Sequence, residues 1–266
     1  MVRILKKVSV FDADACILMG KPTNTGYSLL SELVLYFDES YIHKFVLDEV
    51  KSNTPARAHL ESLENQKLIE AIDDDTLLDM LYSGMHDNET AACSYYHSLL
   101  IQHINTLKPA ENAKLTVVYS PVINKAYTLR VDLITDLRAV ETGIPDRTST
   151  GELKTSILVG ILHFLNVAEI NFFVSNDRRA RALLVTTTDG RVKTSSPIGT
   201  FIIFRDTGWT RAESEPYLWK LGSDRSIQVK DINGKWATLT YQQIFDDIFA
   251  ANSGLYLTAD GFIYYS

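Results

Sequence analysis

An α/β fold built on a central, mainly parallel sheet is what this 266-residue sequence predicts. Three observations carry that prediction. Short apolar runs rich in β-branched and aromatic residues, "VSVF" (8–11) and "EINFFVS" (169–175), have strand length and end at polar residues. Longer segments with helical spacing alternate with them, and alternation of this kind builds parallel sheets. Acidic residues follow the apolar runs, at the strand ends where ligands of open α/β sheets bind.

The elements follow in order. "VSVF" is the first strand. "GYSLLSELVLYF" (26–37) places leucines at helical spacing, and "HKFVLDEV" (43–50) reads as a second strand turning into a helix. "ARAHLESLENQKLIEAI" (56–72) is amphipathic throughout. "NETAACSYYHSLLIQHI" (88–104) puts Ala92, Cys93, Tyr96, Leu99 and Leu100 on one helical face. Between 106 and 150, "KLTVVYSPV" (114–122) is expected as a strand, "LRVDLITDLRAVE" (129–141) as a helix and "ETGIPDRTSTG" (141–151) as a loop. "ELKTSILVGILHFL" (152–165) is a buried helix, "DRRARALL" (177–184) a helix after the 169–175 strand. "VKTSSPIGTFIIF" (192–204) is expected to end in another strand. Residues 206–266 change character. Asn233-Gly234 and Asp260-Gly261 are two-residue hairpin signals, with a helix over "YQQIFDDIFAA" between them. The chain therefore divides into an α/β domain over 1–205, with an insertion at about 106–150, and a β-hairpin-rich extension over 206–266.

Composition narrows the function. The net charge of −7 argues against a protein that coats nucleic acid by bulk attraction, yet permits a local basic groove beside an acidic site. Cys16 and Cys93 sit in apolar stretches, as reduced thiols of a cytoplasmic protein do. Asp12 and Asp14 interrupt the apolar N-terminal run, which excludes a secretion signal there. No apolar stretch has the length of a membrane span.

The acids carry the chemistry. Asp12 closes the first strand in "FDADACIL", with Asp14 two residues on. Glu49 lies in "LDEV", Asp87 and Glu89 in "HDNET", Glu152 in the capping-box pattern "STGE" (149–152), and Asp177 in "VSNDRRARAL". Each alone is explained as a helix cap or a first-turn acid. Carboxylates converging at one sheet edge would repel one another and raise their own pKa values. A hard divalent cation, Mg²⁺ or Mn²⁺, relieves that repulsion through oxygen ligands and activates water beside a phosphate. Arg178, Arg179 and Arg181 after the last acid, and Lys154, are candidate RNA-phosphate contacts or ordinary helix-face charges. His43, His86 and His97 form no spaced metal motif.

These residues resemble the PIN-domain nuclease family. "VFDADACIL" is similar to its first motif with Asp12, "FVLDEV" to its second with Glu49, "DNETAACSYY" to its third with Glu89, and "FFVSNDRRARAL" to its fourth with Asp177. "SPIGTFIIF" resembles its final strand. The resemblance implies a three-layer fold and a metal-dependent endoribonuclease with Asp12, Glu49, Glu89 and Asp177 as catalytic acids. Asp12, Glu89 and Asp177 are then the metal ligands, and Glu49, Asp14, Asp87 and Glu152 the further candidates. Three departures stand out: Asp14 replaces the usual Asn, Ser or Thr, Asn88 replaces the usual Gly, and residues 106–150 leave open whether Glu89 or Glu152 is the third carboxylate. Two other readings compete. "FDADACIL" also resembles haloacid-dehalogenase-like phosphatases, with Asp12 as nucleophile, Asp14 as acid/base and Ser120 after a phosphate-binding strand. A PIN-like module without activity would bind a protein partner through the hairpin edges of the extension. A homodimer is a family-level expectation.

Overall fold

The computed structural model describes residues 6–51, 54–144, 148–165, 168–187, 192–231, 234–251, 255–257 and 263–265. β1 (Lys6–Phe11) leads into α1 (Ala13–Met19), and α2 (Leu29–Val34) returns to β2 (Glu39–His43), which passes directly into α3 (Lys44–Glu49). α4 (Pro55–Asn65) precedes β3 (Glu70–Ile72), followed by α5 (Asp74–Gly84) and α6 (Glu89–Thr106). The inserted stretch holds α7 (Pro109–Val118), α8 (Ser120–Ile123) and α9 (Arg130–Thr142), and then α10 (Thr148–Leu165) begins. β4 (Ala168–Val174), α11 (Arg178–Thr187), β5 (Thr194–Ser195) and α12 (Thr200–Asp206) follow. The remainder is α13 (Arg211–Leu221), β6 (Ser226–Asp231), β7 (Trp236–Thr240), α14 (Tyr241–Phe249), β8 (Leu255–Leu257) and β9 (Ile263–Tyr265).

The first five strands form one parallel sheet in the order β3-β2-β1-β4-β5. Val8, Val10 and Phe11 of β1 are fully buried, as a central strand covered on both faces requires. The buried hydroxyls of Ser9 and Ser40 hydrogen-bond each other at 2.8 Å across β1 and β2. Chain order reverses between β1 and β4, so their carboxyl ends flank the crevice in which open α/β sheets bind ligands.

Two buried clusters line the sheet. One joins Val8 and Val10 to α5, α6, α9 and α10 through Leu77, Tyr96, Leu137 and Leu158. The other joins Phe11, Leu30 and Leu60 to Leu218, Val229, Ile244, Phe245 and Ile248. The segment beyond 205 thus completes a core that β1 and α1 begin. Its strands form a second sheet, β7-β6-β9-β8, with β6 and β7 antiparallel. Gly234 has φ +79°, which suits the expected turn between them; Asn233, Asp260 and Gly261 lie outside the described residues.

Several expectations are corrected. "KLTVVYSPV" is not a strand: Pro109 opens α7, which carries the segment helically into α8. Ser120 therefore begins a short helix of the insertion, away from any phosphate-binding strand of the sheet. "GTFIIF" is α12, with Thr200 through Phe204 buried. "LIEAI" leaves the helical pattern after Asn65 and supplies β3. α13 was not foreseen; its Thr210–Glu213 capping box starts a helix with Pro216 inside it. Cys16 and Cys93 are buried and free. No helix among the described residues is long and apolar enough to cross a membrane.

Candidate metal centre at the strand-order switch

Asp12 is the first residue beyond β1. Its carboxylate caps α1 by accepting the Ala15 N–H at 2.7 Å, and its own N–H donates to the Val174 carbonyl at 3.2 Å. Asp177 lies three residues beyond the end of neighbouring β4. Its Oδ1 accepts the Arg179 N–H at 2.6 Å at the start of α11. Buried Ser175 joins the two: its Oγ accepts the Asp177 N–H at 2.9 Å, and the hydroxyl also hydrogen-bonds the Asp12 side chain. Both acids therefore cap helices and share one serine, so capping does not keep them apart.

Glu49 comes from the last turn of α3. Its Oε1 accepts the Gly151 N–H at 3.0 Å at the start of α10. A Cβ at residue 151 would stand 2.5 Å from the Glu49 carboxyl carbon and would push that carboxylate aside. Glu152 follows directly. The Ser149 side chain expected to cap this helix lies outside the described residues.

Electrostatics shows that these acids share a site. Burial raises Asp12 to about 7; the hydrogen bonds of Ser175 and Ala15 oppose the rise, and the charges of Asp14 and Glu152 add to it. Burial raises Glu49 to about 8, against the Gly151 hydrogen bond and with Asp12, Asp14 and Glu152 adding. Burial raises Glu152 to about 7, with Asp177 the next cause. Glu111 and Lys108 at the start of α7 also act on Glu152, which brings the insertion to the edge of the site. Among the described residues, no salt bridge engages Asp12, Asp14, Glu49, Glu152 or Asp177. Nor, among the described residues, do any three acidic, histidine or cysteine side chains form a ready-made metal chelate.

Glu89 is held elsewhere. Arg130 of α9 binds it at 3.2 Å, also pairs with Asp79, and stacks over the Tyr82 ring in the far half of α5. Gly84, at that end of α5, abuts Leu165, the last residue of α10. Glu152 lies toward the other end of that helix, about 20 Å from Leu165 along its axis. Asp87 is exposed in the α5–α6 turn with φ +60°. The structure thus gathers Asp12, Asp14, Glu49, Glu152 and Asp177, and separates Glu89 and Asp87 from them.

The basic candidates divide as well. Arg179 is exposed. Arg178 lies over the Trp236 ring at 4.0 Å, and Arg181 is buried with Nη1 donating to the Ser175 carbonyl at 2.6 Å. Lys154 is fully buried and cannot meet an RNA phosphate. Its Nζ binds Asp74 at 2.7 Å, Glu141 at 2.5 Å and the Tyr96 hydroxyl at 3.1 Å. Tyr96 donates to Asp74, and Tyr119 to Glu141 at 3.0 Å. His43 accepts the Phe45 N–H at Nδ1, so its proton sits on Nε2, 3.4 Å from Asp74. Burial opposes both charges, yet Lys154 and His43 hold the Asp74 carboxyl well below the usual range, and Asp74, Tyr96 and Glu141 keep Lys154 charged. No local pattern announces this network, because its members come from β2, α5, α6, α9, α10 and the turn between α7 and α8.

No protein-family model, curated protein or solved structure matches the chain.

Proposed function

We propose that the chain is a PIN-like, metal-dependent ribonuclease whose active site is the acidic cluster at the β1–β4 switch, with Glu152 as third carboxylate. The observation that carries this reading is the cluster itself. Three carboxylates pushed into the range 7 to 8 lie close enough to act on one another's charge, with no cationic side chain paired to them among the described residues. Folding so many acids together costs stability unless something positive joins them. The donor set is all oxygen, which fits Mg²⁺ or Mn²⁺. The strand order and the placement of Asp12 and Asp177 beyond adjacent central strands support the same reading.

Asp12, Glu152 and Asp177 would hold the ion, with Asp14 at the rim. When bound, it would lower the pKa of a coordinated water and offset charge building on a phosphate. The chain's own residues do the rest. The caps to Ala15 and Arg179 fix two carboxylates before substrate arrives. Glu49, at about 8 without metal, is poised to hold or accept a proton near neutral pH, and the Gly151 N–H sets its orientation.

The test is labelled single-stranded RNA incubated with Mg²⁺, Mn²⁺ or EDTA, using wild type, Glu152→Gln and Asp177→Asn. Cleavage is expected only with metal and lost in both variants. RNA that survives every metal condition, or variants that cut like wild type, would sink the proposal.

A further inference from the structure

A cavity of about 270 Å³ opens beside Asp177, walled on one side by Asn176, Arg178 and Arg181 and on the other by Ser226, Gln228 and Tyr241 of the last segment. Its size lies just below the usual range of small-ligand pockets and suits a single nucleotide base. Three features mark it as a built site. The Arg178 guanidinium is pinned by its stack on Trp236, which pre-sets a planar fork suited to phosphate. The Tyr241 hydroxyl donates to Asn176 Oδ1 and Arg178 Nη1 to Gln228 Oε1, each at 3.4 Å, so both carboxamide oxygens are engaged. The amide N–H₂ groups of Asn176 and Gln228 have no partner among the described residues. Buried Arg181 ties the cavity to Ser175, the residue that bridges Asp12 and Asp177.

We infer that this cavity receives the nucleotide next to the scissile phosphate of a single-stranded RNA, an inference that rests on the nuclease reading of the neighbouring acids. Arg178, backed by Trp236, takes the phosphate of that nucleotide. The two amide donors read the base edge, and two donors favour a base offering two acceptors, as guanine does with O6 and N7; adenine offers N7 beside a donor. A paired, stacked base cannot enter a two-walled cavity, so the substrate is unpaired there.

The experiment is fluorescence anisotropy with Asp12→Asn protein and labelled single-stranded RNAs bearing G or A at one position. G-bearing RNA is expected to bind several-fold tighter. Gln228→Ala should erase that preference, and Trp236→Ala should weaken both RNAs about tenfold. Trp236→Phe should retain most of the binding, which separates the stack from a folding defect. Trp219→Ala, on an exposed tryptophan outside the cavity, should bind like the parent. Binding unchanged in Trp236→Ala, or a preference that survives Gln228→Ala, overturns the subsite. Wild-type cleavage assayed in parallel separates the two ideas. Metal-dependent cutting that ignores Trp236 and Gln228 refutes only the subsite. Binding that depends on both, with no cutting in any metal, supports the subsite and refutes the nuclease.

Discussion

Asp12→Asn should stabilise the metal-free protein. The change is clean, because asparagine caps a helix as well as aspartate and keeps the oxygen that accepts the Ala15 N–H. Only the charge is lost. Asp12 titrates at about 7 in the folded protein against an ordinary 3.8. Between those values the folded protein binds more protons than the unfolded chain, so its stability falls as pH rises through this window. A three-unit rise corresponds to about 4 kcal/mol at full strength. Asp12 is only partly buried, and solvent screening reduces this to about 1–2 kcal/mol. In a chain of this size that is a rise in Tm of roughly 2–5 °C. The gain should be absent near pH 4, grow with pH, and level off above about 7. Thermal melts of both proteins in EDTA from pH 4 to 8.5 measure it, with Mg²⁺ reversing the order by stabilising wild type alone. A variant that melts at or below wild type at pH 8 in EDTA would refute the account of a carboxylate whose charge is penalised by burial and by its acidic neighbours.

Other consequences can be checked directly. Gly151→Ala drives a Cβ into the Glu49 carboxylate and should weaken metal binding about tenfold or more by calorimetry, with little loss of fold. Glu89→Gln should leave metal binding and cleavage at wild-type levels, because Glu89 is paired with Arg130 away from the acidic cluster, and should cost no more than about 1 kcal/mol in urea melts, since both partners are partly exposed. Lys154→Ala strands Asp74 and Glu141 in the core and should cost about 3–5 kcal/mol by denaturant titration; Lys154→Met should cost clearly less near pH 4 than at pH 8, where both acids are charged.

The strand-end acids were legible because strand, acid and helix are consecutive in "VFDADACIL" and "FFVSNDRRARAL". Glu152 was harder to distinguish from Glu89. Both open helices, and α7 to α9 stand between them, so only the packing of α10 against α3 decides which one reaches Asp12. "GTFIIF" misled because a short apolar run has no period to separate a buried strand from a buried helix. "TVVY" misled because β-branched residues favour strands only weakly once a proline has started a helix. The ion pairs of Lys154 reach Asp74 80 residues before it, so no local pattern carries them.

The core shared by Phe11 and Ile244 also constrains the order of events during synthesis. β1 is made first, yet its neighbour β4 begins at Ala168, and the helices that seal its lower face, α13 and α14, come later still. Until then the first strand has half its covering and one of its two central partners, and such non-local pairing closes slowly. The acids beyond β1 and β4 therefore come together only once α10 and β4 have been made.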